Sequence, residues 1–159
     1  YLSSRCEFAL STLTGSDNLP EIFHKPVLGI EYPIDRLNIF NKCKIFTTPM
    51  YLDKVTKKIL SVNNVLSRLN NSIYDELNGF TLNKLNICIL HNSDDDILNA
   101  GKEMLEIYKY KDFNFEDQSL FWNNIKNYFE KKKIIYLNKD ITSNLSKNFF
   151  LKYKNFLES

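Results

Sequence analysis

The sequence predicts an α/β fold: a Rossmann-like parallel sheet with flanking helices, followed by a helical carboxyl-terminal region. Two short apolar runs, residues 6–11 and 27–30, have the length and composition of buried strands. The segment between them has the pattern of a helix start, and two strands joined by a helix run parallel through a right-handed crossover. The last third of the chain instead shows apolar residues at helical spacing.

The first predicted helix is short and opens at Asn18. Asn18 can cap the helix, Pro20 is tolerated in the first turn, and Glu21 stands three residues after the cap as in a capping box. Pro26 disfavours helical geometry at the residue before it and so ends the helix early. The segment before the helix, residues 12–17, is a loop of small and hydroxylated residues.

The later elements follow from capping signals and apolar spacing. Residues 34–60 are predicted as a long connection with one extended piece at 44–47, and Ile87–Leu90 as a further strand. Asn78-Gly79 predicts a turn. Helices are predicted from Ser61 towards Leu69, from Ser93 onwards, over about 115–132 and over 145–157. In the helix after Ser93, the predicted core-facing stripe consists of Ile97, Leu98, Gly101, Met104, Leu105 and Tyr108.

Composition excludes several classes of function. The formal net charge is +2 with acids and bases interspersed, so no basic face for nucleic acid is expected. Cys6, Cys43 and Cys88 lie far apart, and without a Cys-x-x-Cys or His-x-x-x-His pair no metal site is predicted. No apolar run reaches the length of about 18 residues that a membrane span needs, and unpaired cysteines suit a reducing cytoplasm.

The densest basic run is Lys131-Lys132-Lys133. We interpret it as a solvated helix end, where cations meet the exposed carbonyls favourably. Contact with an anionic membrane surface is the alternative, although three lysines fall short of the usual basic cluster.

One local cluster has the residue types of a phosphate-binding site. Amides at the start of a helix are unpaired and carry partial positive charge, so they bind phosphate without a basic side chain. Gly15 permits close backbone approach, and the hydroxyls of Thr14 and Ser16 can donate to phosphate oxygens. The alternative is a simple helix cap, and Asp17 would repel phosphate unless it points away. The candidate residues are Thr12, Thr14, Gly15, Ser16, Asp17 and Asn18.

Further residues are predicted to reach the same crevice, because ligands bind beyond the carboxyl ends of parallel strands. Glu31 and Tyr32 follow the 27–30 strand, and His91 ends the Ile87–Leu90 strand. We interpret His91 as a sugar or ribose contact, with a structural role as the alternative; for Glu31 and Tyr32 the alternative is a pairing at the edge of the core. His24 is interpreted as a surface residue at the end of the short helix. No spacing identifies a catalytic base.

Residues 14–28 read Thr-Gly-Ser-Asp-Asn-Leu-Pro-Glu-Ile-Phe-His-Lys-Pro-Val-Leu. This stretch resembles the strand, Thr/Ser-Gly loop, short helix and Phe-x-Lys-Pro-Val segment of GT-B-type transferases. More narrowly, it is similar to a family of bacterial glycosyltransferases found among surface-polysaccharide genes. Later segments resemble that family in the same order, at residues 51–61, 92–104 and 148–157. One departure is the loop at residues 14–17, where many relatives have Ser-Gly or Asp-Ser-Gly.

The resemblance implies the carboxyl-terminal half of a GT-B fold, and since the chain begins with Tyr1 rather than Met we expect a fragment. Residues 1–112 would form a partial Rossmann-like domain that binds a nucleotide-diphosphate-sugar donor, with the helices of residues 113–159 packing on it. No cofactor and no metal are implied. A glycan or lipid-linked acceptor and the catalytic base would lie with a missing amino-terminal domain, in the cytoplasm or peripherally at the inner membrane face.

Two kinds of alternative stay open. The same fold and loop serve polysaccharide pyruvyl transferases and sugar-nucleotide epimerases. A non-catalytic flavodoxin-like binding module predicts a complete sheet, whereas the transferase predicts missing strands at the amino-terminal edge, with apolar surface exposed there.

Overall fold

The structure, a computed structural model, describes residues 5–12, 18–37, 43–73, 76–110, 113–133 and 143–159. In chain order its strands are β1 (Ala9–Ser11), β2 (Val27–Gly29), β3 (Cys43–Phe46), β4 (Met50–Asp53), β5 (Ile59–Leu60), β6 (Ile87–Leu90) and β7 (Asn144–Leu145). Its α-helices are α1 (Asn18–Ile22), α2 (Val62–Asn70), α3 (Gly79–Lys84), α4 (Asp94–Lys109), α5 (Ser119–Lys131) and α6 (Lys147–Glu158). A 3-10 helix, Ile34–Arg36, follows β2.

Four strands form a parallel sheet in the order β1–β2–β3–β7. β1 pairs with β2 in parallel, Ala9 opposite Val27 and Ser11 opposite Gly29. Because α1 lies between them in the chain, the predicted strand–helix–strand unit is confirmed. Asn18 is the first described residue of α1, and its role as the cap stays a prediction. The pairs β2–β3 and β3–β7 are parallel as well, so the chain has the predicted α/β fold.

Helices cover both faces of this sheet. Leu28 and Ile45 pack with Ala100 and Met104 of α4 in one buried cluster. Phe46 belongs instead to a larger cluster with buried residues of α2, α5 and α6. Neighbouring residues of a strand point to opposite faces, so a strand buried on both sides shows no polar alternation. This explains why the runs that form β2 and β3 are apolar almost throughout.

A second sheet, in the order β5–β4–β6, is antiparallel. The prediction of a long connection over residues 34–60 is therefore wrong, because β4 and β5 pair as a hairpin there. Asp53 closes the hairpin turn by accepting hydrogen bonds from the amides of Val55 and Thr56 at 2.9 and 2.8 Å. Ile87–Leu90 is a strand as predicted, but it pairs antiparallel with β4 and lies outside the parallel sheet.

Side-chain caps set the starts of three helices. Ser61 and Ser93 each accept a hydrogen bond from the amide three residues later, as predicted, and Ser93 completes a capping box with Asp96. Asn78 does the same for α3, accepting from the amide of Thr81 at 2.9 Å. The turn predicted at Asn78-Gly79 is therefore wrong, because this asparagine caps a helix.

Helix α4 buries a different face from the predicted one. Met104 is buried as predicted, and Ile97 is partly buried. The helix is turned so that two acids lie inside, Asp96 at 4% and Glu103 at 3% exposure. Part of the predicted core stripe is exposed instead, namely Leu98, Leu105 and Tyr108.

The two buried acids of α4 are held by α6. Asp96 accepts hydrogen bonds from Lys152 Nζ at 2.7 Å and from the Tyr153 hydroxyl at 2.9 Å. Burial alone would raise the pKa of Asp96, but these bonds and those from Ser93 outweigh it and hold the pKa below its usual value. Glu103 accepts from the first two backbone amides of α6 at 2.7 and 2.6 Å. An acid at the amino end of a helix is favourable, so these bonds fix the rotation of α4.

The carboxyl-terminal range contributes a strand as well as helices. β7 pairs with β3, and the side-chain amide of Gln118 bonds both the amide and the carbonyl of Leu145, at 2.8 and 3.0 Å. Gln118 thereby closes the outer edge of β7 in the way a neighbouring strand would. Helices α5 and α6 occupy the segments predicted for the last two helices. The division of the chain at residue 112 stays a prediction.

Replacing Gly29 by alanine should destabilise the fold. A Cβ at this position would lie 2.9 Å from ring carbons of Tyr32 and 3.0 Å from the Cβ of Phe46. Both neighbours are buried, so the core has to shift. We expect Gly29→Ala to lower the free energy of unfolding by about 1–3 kcal/mol in urea titrations.

The matched control is Gly101→Ala in α4, where a Cβ would meet nothing within 4 Å. A helical glycine replaced without a clash should raise the free energy of unfolding by about 0.5–1 kcal/mol. Equal effects of the two substitutions would contradict the close packing of β2 against Tyr32.

Candidate functional site

The four parallel strands end at one edge of the sheet, and predicted site residues follow two of them. Ser11 and Gly29 are the last residues of β1 and β2. Their backbone carbonyls accept hydrogen bonds, at 2.7 and 2.9 Å, from amides that directly follow the neighbouring strands. Thr12 comes directly after β1 and is exposed. Glu31 lies two residues beyond β2. Ligands of parallel sheets bind at this kind of edge.

The backbone holds Glu31 in a left-handed conformation, with φ at 55°. This geometry costs a residue with a side chain about 1–2 kcal/mol. Thr47, which is fully buried, stabilises it. Its hydroxyl accepts from the Glu31 amide at 3.0 Å, and its carbonyl accepts from the Tyr32 amide at 2.8 Å. The turn after β2 is therefore fixed against the end of β3, which sets the direction of the Glu31 side chain.

The carboxylate of Glu31 meets the end of β6. One oxygen lies 2.8 Å from Nδ1 of His91, and the other accepts from the Asn92 amide at 2.6 Å. The Asn92 side chain in turn donates to the Thr48 carbonyl at 3.0 Å. The His91 side chain is 76% exposed and that of Glu31 24% exposed. A carboxylate and an imidazole from two different sheets thus form one pair that faces solvent.

The predicted site residues have different outcomes. Glu31 and His91 are brought together, which fits one crevice and also fits the alternative of a pairing at the edge of the core; a ligand contact by either stays a prediction. The prediction that Tyr32 reaches the crevice is wrong, because its side chain is buried in the core. The expectation that His91 ends a parallel strand is wrong, because β6 belongs to the antiparallel sheet. Thr12 lies at the carboxyl edge, and His24 is exposed at the end of the short helix. Thr14, Gly15, Ser16 and Asp17 lie outside the described residues, as does the side chain of Asn18, the first residue of α1.

Sequence reasoning missed a buried polar pair next to this site. Asp35 and Tyr51 are 6% and 1% exposed, and neither Asp35 Oδ1 nor the Tyr51 hydroxyl has a hydrogen-bond partner among the described residues. Burial, with the nearby charges of Asp35 and Glu31, raises the pKa of Tyr51. Burial also raises the pKa of Asp35, against a hydrogen bond from the Leu77 amide. The only signal in the sequence is an acid close behind an apolar strand.

This arrangement is suited to binding hydroxyl groups. A carboxylate has about four acceptor positions, and Glu31 uses two of them within the described structure. His91 Nδ1 is directed to Glu31, which orients the exposed ring. Within the described ranges no group of three or more His, Cys, Asp or Glu residues could hold a metal ion. None of the helices described here is long and apolar enough to cross a membrane.

Comparisons of this chain with protein-family models, with curated proteins and with solved structures find no match.

The buried carboxyl of Asp35 should make the fold less stable as pH rises. Because its pKa is raised in the folded state, its contribution is most favourable below the unfolded pKa of about 3.9 and declines as pH rises through the folded value. Asp35→Asn cannot ionise and keeps an oxygen for the Leu77 amide. We expect the stability of this variant relative to the parent to increase from about pH 4 to neutral pH.

Asp53→Asn is a control of opposite sign. The amide of Thr56 and the guanidinium of Arg68 lower the pKa of Asp53 to about 2. The stability from Asp53 is therefore present above about pH 4 and is lost as pH falls towards 2. Urea titrations from about pH 2 to neutral pH should therefore show the stability relative to the parent rising with pH for Asp35→Asn above about pH 4, and falling with pH for Asp53→Asn below about pH 4. Parallel trends would show that Asp35 is not held in a buried site.

Proposed function

We propose that this chain binds the nucleotide-diphosphate-sugar donor of a GT-B-type glycosyltransferase that acts in cell-surface polysaccharide synthesis. The observation that carries the proposal is the pairing of Glu31 with His91 at the carboxyl edge of the parallel sheet. Glu31 follows a strand of the parallel sheet, at the edge where ligands bind in this class of sheet, and His91 reaches the same place from the end of β6 in the antiparallel sheet.

The order of the elements supports a nucleotide site. β1, α1 and β2 follow one another along the chain, and β3 pairs on the far side of β2. One half of a Rossmann-like fold has the same order of strands in its sheet. In that fold the loop after the first strand binds the pyrophosphate, and an acid after the second strand binds the ribose hydroxyls. Glu31 follows the second strand and would take the second of these positions. Its negative charge suits a ribose diol and would repel a phosphate, which separates its role from that of the loop.

The diphosphate part of the proposal rests on the loop and on the start of α1. Thr12 directly follows β1, and residues 14–17, predicted from sequence to form a loop, carry the hydroxyls and amides expected to hold phosphate oxygens. Helix α1 has only five residues, so its dipole supplies a smaller share than the loop. With hydroxyl and amide donors stabilising the leaving diphosphate, the transfer needs no metal ion.

A second domain is part of the proposal, because the acceptor and the catalytic base have to be supplied to the donor. Several large apolar side chains around β1 and α1 are exposed, which supports the packing of a second domain against them. These residues are Leu10, Leu19, Ile22 and Phe23. The acceptor is a glycan or a lipid-linked glycan, and transfer takes place in the cytoplasm or at the inner membrane face.

The ribose contact is tested by comparing nucleoside diphosphates with their 2′-deoxy counterparts. Calorimetric titration of the chain with uridine, guanosine and cytidine diphosphates identifies the preferred base. The chain is then titrated with the 2′-deoxy form of that nucleotide, and the two affinities are compared. We expect the ribonucleotide to bind roughly tenfold to a hundredfold more tightly, as for a hydrogen bond to a charged group. Glu31→Gln should remove most of that preference, because a neutral amide is a weaker acceptor for the ribose hydroxyl.

Glu106→Gln is the matched control, since Glu106 is an exposed acid on α4, away from the sheet edge. It should leave both affinities unchanged. Thr14→Ala combined with Ser16→Ala should weaken both nucleotides equally, because those residues would contact the diphosphate. Preference for the ribonucleotide that survives Glu31→Gln contradicts the proposed role of Glu31, and absence of any nucleotide binding contradicts the proposal as a whole.

A further inference from the structure

A polar cleft lies between α2 and α5, and none of its lining residues belongs to the site described above. Its volume is about 300 Å³, at the lower end for small-molecule sites. Leu66 and Tyr128, which are both buried, lie beneath it. The walls are formed by Asn63, Ser67, Asn70, Asn71, Asn124, Asn127 and Lys131.

The wall residues come from facing strips of the two helices. On α2 they begin at Asn63 and recur one turn apart, and on α5 they run from Asn124 through Asn127 to Lys131. Residues three or four apart share one face of a helix. Since α2 and α5 pack against each other, the two strips oppose one another across the cleft.

The wall amides have no partners within the described structure. The wall side chains of Asn63, Asn70, Asn71, Asn124 and Asn127 donate and accept no hydrogen bond among the described residues. Asn124 is the strongest case, because its Nδ2 is buried and unpaired. A buried donor without an acceptor costs about 1–3 kcal/mol, so each such group in a native fold calls for an explanation. An acceptor that enters the cleft would supply one.

The residue types that line the cleft indicate which class of ligand it could bind. Among the described residues that line the cleft there is no carboxylate, which disfavours a metal ion or an organic cation, and one cation, Lys131, which is too little charge for a polyanion. A carboxamide offers two donors and an acceptor side by side, which matches neighbouring hydroxyl groups on a ring. We propose that the cleft between α2 and α5 binds a carbohydrate of one or two sugar units.

Asn124 is the residue on which this site depends most. The terminal torsion of an asparagine side chain is broad, so its amide can turn towards a sugar oxygen in the cleft. Ser67 lies on the opposite wall and is exposed, so a larger side chain there would fill the space. This binding is independent of the nucleotide-sugar site, and either can fail without the other.

The test is a titration of the isotope-labelled chain with simple sugars, followed by nuclear magnetic resonance of side-chain and backbone amides. The probes are galactose, N-acetylglucosamine and glucuronic acid, with glycerol as a small polyol for comparison. We expect saturable shifts confined to the walls of the cleft for at least one sugar in the millimolar range, and none for glycerol. A greater response to glucuronic acid would place its carboxylate at Lys131.

Asn124→Leu should weaken sugar binding roughly threefold to tenfold, the equivalent of one hydrogen bond. It should not weaken the fold, because an apolar group of similar shape replaces an unpaired buried donor. Ser67→Leu should abolish binding by filling the cleft. The control is Asn123→Leu, an exposed asparagine on the same helix that does not line the cleft, and it should bind as the parent does.

Three results would overturn the proposal. The first is no saturable shift in the cleft with any of the sugars. The second is unchanged affinity in both Asn124→Leu and Ser67→Leu. The third is a saturable response of the cleft to a tri-alanine peptide but to none of the sugars, which would make it a peptide site.

Discussion

The carboxylate of Glu31 is the point through which the two sheets of this protein are joined at the candidate site. One oxygen holds the His91 ring and the other holds the Asn92 amide, so the end of β6 is fixed beside the end of β2. Asn92 extends the connection to the Thr48 carbonyl beyond β3. Glu31 also has a left-handed backbone, and such strain persists only where surrounding contacts determine it, often at functional sites.

This connection has a consequence for ligand binding. The parallel sheet supplies the edge where its four strands end, while the antiparallel sheet supplies the imidazole. A ligand that contacts both Glu31 and His91 would bind only when the two sheets are held against each other, and its binding energy would stabilise the contact between them. The buried pair of Asp35 and Tyr51 lies close enough for the charges of Asp35 and Glu31 to act on the tyrosine hydroxyl.

Local signals made part of this fold predictable. Apolar runs and the two prolines near α1 give β1, α1 and β2, and the serine caps give α2 and α4. The β4–β5 hairpin was missed because its turn has no glycine, and Asp53 closes it with its own carboxylate. The buried face of α4 was missed because Asp96 and Glu103 read as solvent-facing, while their partners lie on α6, far along the chain.

The candidate site was predictable only in outline. The ends of the predicted strands indicate Glu31 and His91 as site residues, and the two side chains do contact each other. The sheet predicted for His91 was the wrong one. Thr47, Thr48 and Asn92 carried no signal, because their roles come from contacts between segments distant in sequence. The loop at residues 14–17 stays a prediction from residue type and resemblance.

A crystal structure of the chain with its preferred nucleoside diphosphate tests the central claim most directly. We predict that a ribose hydroxyl lies within hydrogen-bond distance of a Glu31 carboxylate oxygen, beside the His91 ring, with the diphosphate at the loop after Thr12. A nucleotide bound elsewhere at saturating concentration, with Glu31 still bonded only to His91 and Asn92, would contradict the account. It would leave Glu31 as a structural link between the two sheets.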